Sequence, residues 1–278
     1  MAKIFSSRRC LEYDSYPESR GRVDGPYELL KEIYEIVEPK PCEESDLLLA
    51  HDERFIKGFR DYDRSVFDLE SPPIPGIYDY ALLSAGAALN ALASAEEMSF
   101  SLMRPPGHHS GRNFMGGFCY LNNIAIAVKK SMPKHDRVAI VDFDCHHGNG
   151  TQDIFLGDPR VLYVSLHQRG IFPGTGYRSE ENCLNYPLMS GTGEGEYLRT
   201  LEKALGEVKR FNPSLIGVSA GFDPYKGDPI TSLFLEVSSF KKIGEAIRDL
   251  NLPTFAVLEG GYSSELPLCV EGFLEGLF

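Results

Sequence analysis

Residues 141–150 read VDFDCHHGNG, an apolar run that ends in two aspartates, two histidines and two glycines. Acids and imidazoles at the end of a buried strand cost free energy unless they are paired or bound to something. Asp142, Asp144 and His146 alternate, so on an extended chain they point to one side. Asp144 and His146 form an Asp-x-His pair suited to one divalent ion, and Asp223 in SAGFD is the best third ligand from another strand end. Two carboxylates and one imidazole leave a position open for water, as a catalytic zinc requires. Asp142 then lies outside the ligand set, orienting an imidazole or sharing a monovalent cation.

A second pair of adjacent histidines, His108 and His109, sits in RPPGHHSGRNFMGGF, where prolines stiffen the chain and glycines let backbone approach a ligand. One imidazole can act as general base toward a metal-activated water while the other stabilises charge. Tyr262 follows the diglycine of EGGY, and its phenol could donate a hydrogen bond to a developing oxyanion.

These residues need a frame. Stretches 136–143, 161–166, 214–219 and 253–258 are short, continuously apolar and rich in β-branched residues, as strands covered on both faces should be. Helix patterns run over 79–95, 121–131, 195–210 and 238–250, the last ahead of Pro253. The alternation predicts a doubly wound α/β fold with a mainly parallel sheet, and the absence of repeats or linkers predicts one domain over 1–278. The SPPIPG stretch at 71–76 is a stiff connection too short to divide it. Ligands of such sheets gather beyond the carboxyl ends of the strands. There the sequence places DCHHGNG, HQRGIFPGTG, AGFDPYKGD and EGGY.

Composition narrows the function classes. A net charge of −12 argues against direct nucleic-acid binding and is compatible with cationic substrates such as lysine-bearing tails or polyamines. The six cysteines are scattered without a CxxC pair, as in a reducing compartment. With neither a secretory signal nor an apolar stretch of about 18 residues, a cytoplasmic protein without a membrane partner is expected.

RPPGHH, GFCYLNN, VDFDCHHGNG, YVSLH, FPGTG, SAGFD and EGGY occur in this order, and with them the chain resembles the arginase–deacetylase superfamily. It is most similar there to class II-like, zinc-dependent histone deacetylase-like amidohydrolases. The resemblance implies a three-layer domain with zinc on Asp144, His146 and Asp223, and Fe²⁺ as the alternative ion. It implies His108 and His109 as the catalytic imidazoles, with His109 the proton shuttle, and Tyr262 as the carbonyl-polarising phenol. Gly117, Phe118 and Phe172 match tunnel positions, and Ile230 in GDPITS stands where a leucine commonly forms the tunnel wall. Asp142, Asp144, His146, Ser165 and Leu166 match a potassium site built largely of backbone carbonyls. Asn149 stands where class I members carry aspartate, which implies a lower pKa for His109 than a carboxylate would give.

The reaction so implied removes acetyl or another short acyl group from lysine-like amines. Hydrolysis of acetylated polyamines is the runner-up, and an acidic tunnel rim would mark it. A ureohydrolase would need two manganese ions and further Asp/His ligands, and a catalytically silent acyl-lysine-binding module would not need the retained catalytic set. The natural substrate, the acyl group and the oligomeric state stay open.

Overall fold

A computed structural model describes residues 2–278. In chain order the elements are β1 Lys3–Phe5, α1 Gly21–Leu30, β2 Glu35–Val37, α2 Glu44–Leu47, α3 Glu53–Arg60, α4 Ile77–Ala93, β3 Ser99–Ser101 and α5 Asn123–Ser131. There follow β4 Val138–Asp142, α6 Asn149–Phe155, β5 Val161–Gln168, β6 Cys183–Leu188, α7 Glu194–Phe211, β7 Leu215–Ala220, α8 Val237–Arg248, β8 Thr254–Leu258 and α9 Leu266–Leu277.

All eight strands join one parallel sheet in the order β2-β1-β3-β8-β7-β4-β5-β6. Every residue of β4, β5, β7 and β8 is buried, so both faces of the central sheet are covered. The covering helices form two contact groups: α4 with α5 and α6 behind it, and α1, α9, α8 and α7 in succession. This is the α/β layered architecture expected, with a sheet that is wholly parallel. Three of the four unforeseen strands, β1, β2 and β3, have only three residues each, too few to show a periodic pattern. The fourth, β6, carries Pro187, which an edge strand tolerates.

Helix α8 ends at Arg248, earlier than Pro253 alone would require, because the chain turns through Asn251 in a left-handed conformation (φ 54°). A second departure concerns VDFDCHH. The strand stops at Asp142, so Asp144 and His146 lie in the turn beyond it rather than on an extended chain.

The strand order reverses beside β4. The chain leaves β4 toward β5 and β6, then returns to build β7 and β8 on the other side. The crevice at such a reversal is where open α/β sheets bind ligands. Register pairs Asp142 with Ser165 on one neighbour and with Ser219 on the other. Beyond the strands, backbone hydrogen bonds from Phe143 N–H to Ser219 O (3.1 Å), Gln168 N–H to Cys145 O (2.8 Å) and Phe222 N–H to Gly260 O (3.0 Å) stitch the loops together.

Helices α8 and α9 meet at glycines: a Cβ at Gly276 would stand 2.1 Å from Lys241 O, and one at Gly244 2.3 Å from Phe273 O. Alanine would normally favour a helix, but this clash with backbone outweighs the gain of about 1 kcal/mol in propensity. Gly276→Ala is therefore expected to destabilise the protein by about 1–3 kcal/mol. Urea unfolding checks this, and an unchanged or higher midpoint would contradict it.

Candidate active site

The turn after β4 and the loop after β7 bring Asp144, His146 and Asp223 together, with one potential ligand atom of each within 4.8 Å of the others. Both aspartates are fully buried. Their outer lone pairs are taken by backbone: His146 N–H (2.8 Å) and Gly260 N–H (2.6 Å) donate to Asp144, and Cys145 N–H (2.8 Å) donates to Asp223 Oδ1. Asp223 Oδ2 has no hydrogen-bond partner, although His146 Nδ1 lies 2.8 Å away. His146 Nδ1 also lies 3.2 Å from Asp144 Oδ1, so the imidazole nitrogen stands between the two carboxylates and all three groups converge on one region. Burial, followed by the like charge of Asp144, raises the Asp223 pKa. Burial opposes the charge on His146, yet Asp144 and Asp223 push its pKa up to about 10. A set that draws a cation this strongly fits a divalent metal with oxygen and nitrogen ligands.

The backbone permits the convergence only through glycine. A Cβ on Gly260 would stand 2.5 Å from Asp144 Oδ2 and 2.7 Å from Asp223 Oδ2. A second buried group, His108, Cys119 and Glu259, also lies within ligand distance. Its groups are already engaged: Glu259 accepts from Gly107 N–H (2.8 Å), His108 N–H (3.1 Å) and the Ser219 hydroxyl (3.1 Å), and His108 Nδ1 faces Asp142. It fits a metal less well than the first.

The two histidines of RPPGHH have unlike partners. His108 Nδ1 lies 3.1 Å from Asp142 Oδ2, which also accepts from Tyr163 OH (2.8 Å). His109 Nδ1 lies 2.8 Å from Asn149 Oδ1, a neutral acceptor. Burial works against a charge on both rings. At His108 the carboxylates of Asp144, Asp142 and Glu259 outweigh it and push the pKa up to about 10. At His109 burial is joined by repulsion from His108 and His146, and the pKa falls well below 6.5. The carboxylates thus favour a proton on His108, while burial and the neighbouring imidazoles disfavour one on His109. With Nδ1–H donated to Asn149, Nε2 of His109 keeps its lone pair.

A cavity of about 310 Å³ opens above these groups. His109, His146 and Tyr262 line it together with Gly117, Phe118, Phe172 and Ile230, all four of the expected tunnel residues. Gly117 (φ 55°) and Phe118 (φ 66°) are both left-handed, and a Cβ at Gly117 would stand 2.4 Å from the His109 ring. The Phe172 ring crosses that of His109 edge-on at 4.9 Å, and the Phe118 ring does the same to Tyr262 at 6.0 Å. Ser165 and Leu166, two of the five positions expected to hold potassium, lie on β5, where Ser165 pairs in register with Asp142 of β4. His147 and His167, which the motifs contain, join a polar network with Thr175, Gln152, Ser165 and the Gly176 carbonyl.

Two features escaped sequence reasoning. Glu70, at the start of the proline-rich connection, lines the cavity on its exposed side. Burial and then Asp68 raise its pKa, with the Gly117 backbone opposing. The second is a buried ion cluster of Glu18, Arg22 and Arg104 behind Tyr262. A lone acid ahead of a proline-rich stretch is too common to flag the first, although the i,i+4 spacing of Glu18 and Arg22 was a usable signal for the second.

Comparison with known proteins shows the family. The histone deacetylase domain model matches residues 16–277. A histone deacetylase-like amidohydrolase of Pseudomonas aeruginosa is 36% identical over 85% of this chain and 69% of its own. Acetylpolyamine amidohydrolase 1 of the same organism is 41% identical over 72% of this chain, which spans only 62% of that relative's length. The crystal structure of an acetylpolyamine aminohydrolase from Burkholderia pseudomallei superposes with a TM-score of 0.94 at 26% identity, covering 100% of this chain and 98% of that one. The chain belongs to the histone deacetylase family, as a histone deacetylase-like amidohydrolase. Members of this kind are hydrolases acting on amide bonds. Among the described residues no helix is long and apolar enough to cross a membrane.

The unlike partners of the two histidines give a testable consequence. Asn149→Asp places a carboxylate against His109 Nδ1 and should raise that imidazole's pKa by about one unit or more. A base acts only when neutral, so the acid limb of the rate profile should move to higher pH by the same amount. An unmoved limb in a pH profile of kcat/KM would show that His109 is not the titrating base.

Proposed function

We propose that the protein is a zinc-dependent amidohydrolase that removes acetyl groups from amines carried on flexible alkyl chains, and that its preferred substrates bear a second, protonated amine. The observation that supports the reaction class is the convergence of Asp144, His146 and Asp223 beneath a cavity lined by His109 and Tyr262. What favours a cationic substrate is Glu70, the carboxylate on the exposed side of that cavity. The relatives named acetylpolyamine amidohydrolase point the same way.

Asp144, His146 and Asp223 would hold the ion, which when bound supplies a Lewis acid toward the amide carbonyl and acidifies water. The neutral His109 takes the water's proton at Nε2 and returns it to the departing amine nitrogen. His108, hydrogen-bonded to Asp142, stands beside His109 as the second imidazole, able to stabilise charge as it develops. Tyr262 donates its phenol hydrogen to the amide oxygen as negative charge develops there. Phe118 and Phe172 grip the methylene chain, and Ile230 bounds it. A potassium ion held by carbonyls of Asp142, Asp144, His146, Ser165 and Leu166 would brace the turn that carries two of the ligands. All 278 residues would serve as one catalytic domain.

Acetate release by zinc-loaded protein tests this reading, with N-acetylated diamines and polyamines beside acetyl-lysine peptides and a neutral acetylated alkylamine. Tyr262→Phe should lower kcat by about a hundredfold or more. Glu70→Gln should raise KM about fivefold for acetylated diamines, the equivalent of about 1 kcal/mol for a partly exposed charge pair, and leave the neutral amide unchanged. Equal effects on charged and neutral amides would remove Glu70 from substrate recognition. No acetate from any substrate would overturn the reaction class.

A further inference from the structure

Tyr262 follows two glycines, Gly260 and Gly261, the latter at φ 118°. Such a segment has little stiffness of its own, so a phenol that must meet a developing charge has to be fastened from outside. One fastening is direct: the Tyr262 N–H donates to Asp228 Oδ2 at 2.8 Å. The other comes from the amino-terminal segment. Arg22 Nε donates to Gly261 O at 2.7 Å and its Nη2 to Glu259 O, so one guanidinium holds the carbonyls on both sides of Gly260. The same guanidinium lies 4.7 Å from the centroid of the Tyr262 ring.

Arg22 is itself held by Glu18. The carboxylate is 1% exposed, and Oε1 accepts from Arg22 Nη1 (2.9 Å) and Arg104 Nε (2.6 Å). Oε2 accepts from Arg104 Nη2 (2.6 Å) and Tyr13 OH (3.2 Å). Arg104 spends its remaining donors on the Cys10, Tyr13 and Glu18 carbonyls. One carboxylate thus faces two buried guanidinium groups, and the excess positive charge rests against the phenol. A cluster that only glued the amino terminus to the core would have no need of that excess, since unbalanced buried charge is costly.

We infer that Glu18 is a positioning residue for the hydrolysis: it fixes the Arg22 fork, and through Arg22 it fixes the Gly260–Gly261 backbone and the aim of Tyr262. This rests on the reading of Tyr262 as the oxyanion donor. Burial raises the phenol's pKa and the charge of Arg22 opposes that rise, which strengthens the hydroxyl as a donor.

The test is a double-mutant cycle on zinc-loaded protein with an acetylated diamine, joined to hydrogen exchange over residues 259–262. Glu18→Gln should lower kcat about tenfold with KM within about twofold, and should cost little further in the Tyr262→Phe background. Exchange at Gly261 and Tyr262 should quicken. Arg22→Lys, which keeps the charge but cannot hold both carbonyls, should do the same and carries the test if Glu18→Gln does not fold. Equal losses of kcat in both backgrounds, an unchanged kcat, or unchanged exchange would overturn the inference. If the unsubstituted protein released no acetate, the proposed function would fail, while the exchange result would still decide whether Glu18 fixes this loop.

Discussion

Two carboxylates and an imidazole, buried together with one oxygen left without a hydrogen bond, set the terms for the rest of this molecule. Asp144 and Asp223 cannot both remain ionised in a closed site without a cation, since an uncompensated buried charge costs on the order of several kcal/mol. The backbone N–H groups of Cys145, His146 and Gly260 do not remove this demand. They aim it, by holding both carboxylates from the backbone side and leaving Asp223 Oδ2 without a hydrogen bond. A site of this kind is preorganised for a cation.

The remaining architecture serves that convergence. Reversal of strand order beside β4 places the ends of β4 and β7 next to each other, so Asp144 and Asp223, distant in sequence, become neighbours. The loop after β8 closes from the other side, and only because Gly260 lacks a side chain. Around this centre the charges are distributed unevenly on purpose of chemistry rather than stability: His108 has a carboxylate behind it and His109 an amide. Two adjacent imidazoles with the same intrinsic acidity are thereby pushed in opposite directions, His108 toward and His109 away from the protonated form.

Much of this was legible in the sequence where chemistry and local pattern coincide. VDFDCHHGNG, RPPGHH, SAGFD and EGGY each concentrate reactive residues directly after a strand, so residue types alone point to the ends of β4, β7 and β8 and to the His loop. Strands β4, β5, β7 and β8 were visible because they are buried on both faces and read as unbroken apolar runs. The alternation of Asp142, Asp144 and His146 gathered the right residues for an incomplete reason, since a turn and not an extended strand brings the last two inward. What stayed hidden depends on long-range approach. Glu18 reaches Arg104 across 86 positions, and nothing in YPESRGRV says where that carboxylate will lie. Glu70 adjoins a stretch whose prolines describe its stiffness but not the cavity it borders.

The central claim is that Asp144, His146 and Asp223 together hold a single catalytic metal. Zinc-edge X-ray absorption on the loaded protein, with the metal counted per chain, tests it most directly. The account predicts one zinc per chain in a shell of oxygen and nitrogen only, with one imidazole. Two zinc ions per chain, or a sulfur neighbour at about 2.3 Å, which would place the ion at His108, Cys119 and Glu259, would contradict it.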